Sequence, residues 1–353
     1  MRIVITGASG NVGTVLVDRL LGGGHDVAGV VRRPPDTQHA RQMRWYEADL
    51  TQPQSTRVLE QAFEKADAVV HLAWGFQPSH RPHVLESLGV GGTQRVLLAT
   101  EAAGVPHLVH MSSVGVYSPR SNGVPVDENY PREGVPTSPY SQHKAAAERL
   151  LDGFEKHHPE VRIARMRPGI IGQRNAGSAL LRYGLPGLVP ASALRFVPVL
   201  PLDPSVAIPM VHAVDVAQAI ATAVEAQIPG AYNLAADPVV TASDITEVLR
   251  ARLLPVSATT LRAVVAAGWH TRLLQLDPGW IDLALNVPVL DTSRARSELS
   301  WLPTRTGVEV LEEMVAGMSE AAHGDTPVLR PRTVAGQLAG ALRHGPVSYR
   351  RRT

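Results

Sequence analysis

A tyrosine and a lysine lie four residues apart in the stretch Tyr140-Ser141-Gln142-His143-Lys144. On a helix this spacing puts both side chains on one face, one turn apart. A phenol with a reference pKa of about 10 transfers protons poorly unless its anion is stabilised, and a nearby ammonium provides that stabilisation. The pair therefore predicts an acid/base centre in which Tyr140 moves the proton and Lys144 assists it.

A serine pair, Ser112-Ser113, ends the apolar run 107–112. A hydroxyl at position 113 is able to hydrogen-bond a substrate oxygen and fix it beside Tyr140. Hydride transfer between a nicotinamide and a carbinol needs such a proton-transferring centre. Alone, each residue is more often structural, as a strand-end cap, a packed ring or a solvated lysine. Their order and context favour Ser113, Tyr140 and Lys144 as the catalytic set.

A glycine-rich turn lies between an apolar strand and an amphipathic helix near the start of the chain. In the spacing Gly7-X-X-Gly10-X-X-Gly13, the first glycine permits a tight turn. The second lets the backbone approach a pyrophosphate, and the third lets helix and strand pack closely. The helix then directs the positive end of its dipole at the phosphates. We expect dinucleotide contacts at Gly7, Ser9, Gly10, Asn11, Val12 and Gly13; the alternative is an ordinary strand-to-helix turn.

Two arginines, Arg32 and Arg33, stand at the end of the next predicted strand. An enzyme that prefers NAD usually has an acidic residue about 20 residues beyond the loop, which binds the adenosine ribose hydroxyls. Arginine at this position instead suits the 2′-phosphate of NADP. NADP is therefore the expected cofactor, with NAD as the alternative; the arginines could also be merely solvated. Asp49 and Leu50, after the third strand, are expected cofactor contacts, and a turn cap is the alternative role for Asp49.

Short apolar runs alternate with helical stretches through the first half of the chain. Strands are predicted at 2–6, 26–32, 67–73, 107–112 and 161–167, and helices at 11–21, 84–103 and 140–156. This alternation predicts an α/β fold with a Rossmann-type doubly wound parallel sheet. We expect residues 1–169 and 206–236 to form a dinucleotide-binding domain, 170–205 and 237–320 a smaller, mostly helical substrate-binding lobe, and 321–353 a basic C-terminal tail.

The composition narrows the function further. With no cysteine among 353 residues, disulfides, a thiolate nucleophile and a sulfur-bound metal are excluded, and no metal is expected. Six of the 34 lysines and arginines are arginines at or after position 330, which leaves 28 basic against 32 acidic residues elsewhere. A nucleic-acid surface is therefore not expected, and the tail is interpreted as a solvated, partly disordered extension. Since no apolar run approaches the roughly 18 residues of a membrane helix and no secretory signal precedes the first strand, we expect a cytoplasmic protein.

The ordered motifs resemble the extended branch of the short-chain dehydrogenase/reductase family, the NAD-dependent epimerase/dehydratase group. The resemblance covers most of residues 1–318. Besides the glycine loop and the Tyr-Lys pair, the matching segments are His71 to Ala73, Ser112 to Tyr117, Arg167 to Gly172, Val211 to Ala217, Tyr232 to Leu234, Asp291 to Arg294 and Leu299 to Pro303.

The resemblance implies specific roles. Tyr140 is the acid/base, Lys144 lowers the pKa of Tyr140 and holds the nicotinamide ribose, and Ser113 polarises the substrate carbonyl. Family members commonly form homodimers through the helices equivalent to 84–103 and 140–156. The remaining expected cofactor contacts are Leu72, Ala73, Pro168, Ile170 and Ile171.

Two departures from the family pattern narrow the substrate class. Arg167 stands where nucleotide-sugar members often have asparagine, which weakens the sugar hypothesis, and Val114-Gly115 replaces an acidic pair of dehydratases, which weakens the elimination hypothesis. A third departure, Gly89 in place of a common asparagine, is expected to alter the water structure near the nicotinamide. The expected substrate wall suits a partly apolar carbonyl compound, unless its residues only pack the lobe interface. It comprises Trp74, Phe76, Tyr117 and the loop 173–196 with Arg174, Leu180, Leu181, Arg182, Tyr183 and Leu185.

Three hypotheses follow. The leading one is an NADP-preferring oxidoreductase that interconverts a carbonyl and an alcohol, with a small-molecule partner. A nucleotide-sugar epimerase with tightly bound NAD is the rival enzyme. The third is a nucleotide-sensing protein that uses the fold without catalysis, and the intact Ser-Tyr-Lys set argues against it.

Overall fold

The computed structural model describes residues 1–36, 39–75, 79–121, 123–184, 190–274 and 276–332. Within these residues the strands are β1 (Arg2–Thr6), β2 (Asp26–Val31), β3 (Arg44–Glu47), β4 (Ala68–His71), β5 (His107–Met111), β6 (Arg162–Pro168), β7 (Ile170–Gly172), β8 (Val199–Leu202), β9 (Ala207–Ile208), β10 (Met210–His212), β11 (Gly230–Leu234), β12 (Val240–Thr241) and β13 (Arg252–Pro255). The helices are α1 (Asn11–Gly22), α2 (Ser55–Phe63), α3 (Pro82–Ala102), α4 (Pro139–His157), α5 (Gly177–Gly184), α6 (Ala213–Glu225), α7 (Ala242–Val248), α8 (Ala258–His270), α9 (Pro278–Asn286), α10 (Ser293–Glu298) and α11 (Gly307–Ser319).

One seven-stranded parallel sheet organises the fold, in the order β11-β6-β5-β4-β1-β2-β3. The inner strands β4 and β5 are buried along their whole length, which a parallel sheet covered by helices on both faces requires. The predicted α/β class and doubly wound parallel sheet are confirmed.

Two apolar layers cover the faces of the sheet. On one face, α1 and α6 contribute the fully buried Leu16, Leu20 and Ile220. On the other, α2 and α3 contribute Phe63 and Val96. Burying each side chain of this size stabilises the fold by about 1.5–3 kcal/mol relative to exposure. The two layers hold the sheet rigidly, and with it the strand ends that carry the predicted site.

The winding of the chain reverses beside β1. This strand pairs with β2 on one side and with β4 on the other. In open α/β sheets, ligands bind at such a switch point, outside the carboxyl ends of the strands. The predicted cofactor contacts Gly7, Arg32 and Leu72 directly follow β1, β2 and β4, so they share this edge.

Short two-stranded pairings and helices make up the remainder. β7 pairs with β10, β9 with β12, and β8 with β13. The helices α7 to α11 lie within the segment expected to be mostly helical. Among them, α9 reaches the carboxyl edge of the sheet, where Leu283 and Val287 pack with Val114 and Val116 after β5.

The beginning of the C-terminal tail differs from the solvated extension expected from its composition. Ser178 donates from its amide to Ala322 O at 2.8 Å and from its hydroxyl to Ala321 O at 2.7 Å. Leu329 is buried against Ala176, Ala179 and Leu180. For residues 321–332 the expectation is therefore wrong, because apolar packing and backbone hydrogen bonds outweigh the charge of the arginines. Residues 333–353 lie outside the described part of the chain.

Candidate active site

A cavity of about 460 Å³ runs along the carboxyl edge of the sheet, from the turn after β1 to α9. Its volume lies within the roughly 300–1,000 Å³ usual for small-molecule and cofactor sites. Every residue predicted as catalytic or cofactor-binding lines it except Arg33, which lies exposed beyond the end of β2. The fold thus brings together residues that the chain separates widely.

The glycine loop is shaped by two close approaches. Gly7 has a positive φ of 76°, and a Cβ there would lie 2.8 Å from Ala73 N. A Cβ on Gly13 would lie 2.4 Å from Gly7 O. The first position needs a left-handed backbone and the second needs contact between helix and turn, so only glycine fits both. These are the turn and packing roles that the spacing predicts.

The N-terminus of α1 is open toward the cavity. Its N-cap, Gly10, has no side chain, and the first turn contains no acidic residue. The first amides of a helix lack intrahelical partners and carry the positive end of the dipole, so this end suits an anion. Asn11 Oδ1 accepts from Gln173 Nε2 at 2.6 Å, which ties the loop to the segment after β7.

At the far end of the same cavity, the residues that the structure describes include one cation. Arg32 lines it directly after β2, where the sequence predicts the adenosine ribose. Asp49 also lines the cavity, but its Oδ1 accepts from the amide and hydroxyl of Thr51 at 3.0 and 2.8 Å, so it caps a turn. An open helix N-terminus, a glycine-rich turn and a guanidinium form a donor set that fits a dinucleotide.

Tyr140 and Ser113 meet at the middle of the cavity. Ser138 caps α4 and Pro139 occupies its first turn, which places Tyr140 at the start of the helix. Burial raises the pKa of Tyr140 to about 12, and its hydrogen bond with Ser113 acts in the opposite direction. Ser113 Oγ in turn accepts from Gly115 N at 3.0 Å. The phenol is therefore held protonated near neutral pH, beside a fixed hydroxyl.

Lys144 is buried one turn further along α4. Its Nζ donates to Met111 O at 2.7 Å and lies 3.5 Å from the ring centroid of Trp74. Burial lowers the pKa of Lys144 well below its usual value, while the carboxylate of Glu148 acts to raise it. The resemblance implied that Lys144 lowers the pKa of Tyr140, and this stays a prediction; in this structure burial raises the pKa of Tyr140 and the hydrogen bond with Ser113 opposes the rise.

A buried ion pair joins β6 to α4 beside the predicted catalytic residues. Glu148 accepts from Arg167 Nη2 at 2.6 Å and Nε at 2.9 Å, and from Ser112 Oγ at 2.5 Å. Burial alone would raise the pKa of Glu148, but Arg167 lowers it to about 2. Ser112 is therefore committed to Glu148, which leaves Ser113 to bond with Tyr140. Arg167, the departure noted in the sequence, is the cation of this ion pair.

Part of the predicted substrate wall belongs elsewhere. Tyr117 is buried, with its hydroxyl donating to Asn233 Oδ1 at 2.6 Å and accepting from Arg167 Nη1 at 3.0 Å. Placing Tyr117 in the wall was therefore wrong, because the ion pair and Asn233 hold it in the core. Trp74 and Leu180 do line the cavity, whereas Leu181 is buried in packing. Arg174 forms an ion pair with Glu320, and Arg182 donates to the carbonyl groups of Val328 and Arg330.

Three further residues of the predicted wall lie outside the described part of the chain, namely Phe76, Leu185 and the side chain of Tyr183.

Several lining residues carried no recognisable sequence signal. Trp280 and Leu283 of α9, Val287 directly after it, and Ile208 and Pro209 before β10 face the cavity. None belongs to a motif with fixed spacing to Tyr140. Their side chains make this side of the cavity largely apolar. The only sequence signal for the α9 residues was the amphipathic pattern of that helix, which does not show against which part of the fold the apolar face packs.

The tail contributes a further part of the wall. Val328 and Leu329 line the cavity, and Thr326 Oγ1 donates to Ser9 O in the glycine loop at 2.8 Å. Arg332 N donates to Ser178 Oγ at 3.2 Å. We call residues 321–332 the C-terminal strap, since they contact the glycine loop and are hydrogen-bonded to Ser178 at both ends.

Comparison with known proteins assigns the chain to a family. The sequence profile of the NAD dependent epimerase/dehydratase family matches residues 3–235. The chain belongs to this family. Its members and relatives are NAD-dependent epimerases and dehydrogenases, so NAD(P) is the cofactor class.

Relatives within the family differ in chemistry. The chain is 31% identical over 164 residues to the UDP-glucose 4-epimerase of Mycolicibacterium smegmatis, covering 44% of this chain and 51% of that protein. It thus spans about half the length of this curated relative. It is also 26% identical over 326 residues to the dTDP-6-deoxy-L-talose 4-dehydrogenase (NAD(P)(+)) of Kitasatospora kifunensis, covering 91% and 96% of the two chains.

Solved structures share the family fold. A UDP-glucose 4-epimerase of Thermotoga maritima, determined with UDP-glucose, matches with a TM-score of 0.70 at 18% identity, over 91% of this chain and 99% of the other. At this identity the match supports the fold alone. Among the described residues of this family member, no helix is both long and apolar enough to cross a membrane, and no three potential ligand side chains cluster as a metal site would require.

Proposed function

We propose that the protein is an NADP-preferring oxidoreductase that transfers hydride between the nicotinamide and a carbonyl or alcohol substrate. The observation that carries this proposal is the hydrogen bond between Ser113 and Tyr140 in the cavity that also contains the glycine loop. Lys144 lies one helical turn away. These groups can position a carbonyl oxygen and transfer a proton to it.

Each residue has a distinct role in the reduction. The bound nicotinamide supplies the hydride to the carbonyl carbon, and accepts it in the reverse reaction. Ser113 hydrogen-bonds the carbonyl oxygen, and Tyr140 donates its phenolic proton to that oxygen. The ammonium of Lys144 then opposes the negative charge left on the phenolate. Gly10 and the first turn of α1 would hold the pyrophosphate, Arg32 would hold the 2′-phosphate, and Pro168 and Ile170 would contact the nicotinamide.

A nucleotide-sugar epimerase is the second candidate, because relatives and structural neighbours include UDP-glucose 4-epimerases. Such an enzyme retains NAD and shows no net redox change. We rank it second because Arg167 is committed to Glu148, and because the described substrate-side wall is apolar.

Transfer of deuterium distinguishes the two candidates. Incubation of the protein with NADPH deuterated at C4 and a panel of ketones and aldehydes is expected to yield alcohols with deuterium at the former carbonyl carbon. Mass spectrometry of the products detects it. Inversion of UDP-glucose to UDP-galactose without consumption of added NADPH would instead establish the epimerase.

Changing Arg32 should alter the preference between cofactors. A charged hydrogen bond contributes about 1.5–3 kcal/mol, so Arg32→Ala should weaken NADPH binding by roughly 10- to 150-fold and leave NADH nearly unchanged. Fluorescence titration measures both affinities. Arg33→Ala is the matched control, because Arg33 does not line the cavity. Equal losses for NADPH and NADH, or a larger effect at Arg33, would contradict the assignment.

The C-terminal strap should slow cofactor release. A chain that ends after Gly324 loses Thr326, Val328 and Leu329, and its NADPH dissociation rate should rise by about tenfold, the effect of ~1.4 kcal/mol. Stopped-flow fluorescence measures this rate. A chain that ends after Arg332 is the control and should release NADPH as slowly as the full chain. Identical rates for both truncations would show that the strap does not cover the cofactor.

The domain division and the assembly remain proposals. We propose that residues 1–169 and 206–236 bind the dinucleotide, and that 170–205 and 237–320 form the substrate lobe. A homodimer through α3 and α4, which pack side by side, is proposed from the resemblance. Light scattering of the purified protein tests the dimer.

A further inference from the structure

A second, smaller cavity adjoins the catalytic tyrosine. It has a volume of about 180 Å³ and shares Trp74, Tyr140 and Trp280 with the main cavity. Its remaining described walls come from the segment between β4 and α3, the starts of α3, α4 and α9, and the end of α8. We call this space the aromatic annex, because Trp269 adds a third indole to its lining.

Ring stacking and a hydrogen bond hold the walls of the annex in place. The ring of Trp269 stacks on that of His80 with centroids 3.4 Å apart and planes 8° from parallel. His80 Nε2 lies 3.2 Å from Leu274 O, which fixes this stack to the chain after α8. Opposite, Trp280 lies 5.2 Å from Tyr140 between ring centroids. These contacts preorganise flat apolar surfaces beside the proton donor.

Trp74 reaches its place because Gly89 has no side chain. A Cβ on Gly89 would lie 2.8 Å from Cη2 and Cζ2 of the Trp74 ring. The indole therefore fills the space beside α3 and packs at right angles to Tyr140, with ring centroids 6.4 Å apart. One sequence departure thus creates a wall of the annex.

The charges of the annex disfavour a phosphorylated substrate. Of the described residues that line it, none is lysine or arginine, and one is the acidic Asp277. Asp277 Oδ1 accepts from Gly279 N at 2.9 Å as the cap of α9. In the main cavity, the described lining cations are Arg32 and Lys144, and both have roles in the proposed cofactor site. A substrate diphosphate would therefore meet no cation there that is not already assigned.

From these features, and building on the proposed function, we infer that the annex receives the aromatic ring of an aryl ketone or aryl aldehyde. A cavity of about 150 Å³ lined by apolar side chains holds benzene, so the annex has the right size for one ring. The carbonyl oxygen then lies at Ser113 and Tyr140. NADPH supplies hydride to the carbonyl carbon, Tyr140 supplies the proton to oxygen, and the products are an aryl carbinol and NADP⁺.

The test compares two ketones with NADPH, acetophenone and butanone, in the full chain and in two variants. Trp269→Ala opens one wall without touching Tyr140, and should raise the KM for acetophenone by about tenfold or more while leaving butanone unchanged. Trp269→Phe retains a ring and should preserve the preference. Saturation-transfer NMR with acetophenone and with UDP-glucose measures binding independently of turnover.

The outcomes separate the annex from the function. Reduction of both ketones with no preference for acetophenone, or equal losses for both in Trp269→Ala, would overturn the annex and leave the oxidoreductase intact. Acetophenone binding that depends on Trp269, without any turnover, would support the annex and contradict the oxidoreductase. Displacement of acetophenone by UDP-glucose would overturn the annex, because a nucleotide sugar would then occupy the same space.

Discussion

Replacement of Tyr140 by phenylalanine should reduce turnover by about 10²–10⁴-fold, the usual contribution of a general acid or base. The change removes only the hydroxyl that bonds with Ser113, so the ring contacts with Trp74 and Trp280 remain. NADPH affinity should change little. Steady-state kinetics and fluorescence titration on the same preparation measure both quantities.

Tyr130→Phe is the matched control for this change. Its hydroxyl donates to Pro119 O at 3.0 Å, away from the residues that line the main cavity. The variant should therefore retain nearly full activity. If Tyr140→Phe kept more than about a tenth of the wild-type rate, the general-acid role would be contradicted.

The pH dependence of the reaction should differ between its two directions. Since burial raises the pKa of Tyr140 to about 12, the phenol remains a proton donor throughout the neutral range. Reduction needs the protonated phenol, so the rate of reduction should not fall until the pH is strongly alkaline. Oxidation needs the phenolate and should accelerate as pH rises. Rates measured between about pH 6 and 10 should therefore stay level for reduction and rise with pH for oxidation, and a reduction rate that falls steeply within this range would contradict the role of Tyr140.

Breaking the buried ion pair should destabilise the fold strongly. Glu148→Gln leaves Arg167 as an unpaired buried cation, and loss of one partner of such a pair typically costs about 3–5 kcal/mol in free energy of unfolding. The folded-state pKa of Glu148, about 2, lies below its ordinary value. Its stabilisation is therefore complete above about pH 5 and is lost as the pH falls toward the folded pKa.

An exposed pair on the surface is the control for the ion pair. Asp36→Asn removes the same charge from a pair with Arg41 in which both side chains are more than three-quarters exposed. It should cost less than about 1 kcal/mol. Urea unfolding of both variants gives the comparison. The double variant Glu148→Met with Arg167→Met should recover much of the stability, and equal small losses in both single variants would exclude a structural role for the ion pair.

Periodic elements were the most predictable part of the molecule. The strands at β1, β2, β4, β5 and β6 lie within about two residues of the predicted runs, since buried parallel strands read as short apolar segments. The prediction of a solvated tail was wrong for residues 321–332, because a charged composition indicates exposure only on average. Leu329 and the backbone groups around Ser178 make contacts that composition does not contain.

The site was predictable where local geometry fixes residue types. Gly7 and Gly13 are required by the loop itself, and Tyr140 and Lys144 by one helix. The opposite wall was not predictable, because Trp280 and Leu283 meet the catalytic residues only through the tertiary fold. Tyr117 was misplaced for the same reason, since its partners Arg167 and Asn233 lie far along the chain. A buried hydroxyl needs hydrogen-bond partners, and these two hold the ring in the core.

The cofactor held and exchanged by the purified protein tests the central claim most directly. The nucleotide content is measured first, and the protein is then titrated with NADPH and NADH by fluorescence. We predict reversible binding with NADPH favoured by about tenfold or more, as a guanidinium at the 2′-phosphate requires. Retention of NAD that neither nucleotide displaces would contradict the account and make the epimerase the first candidate.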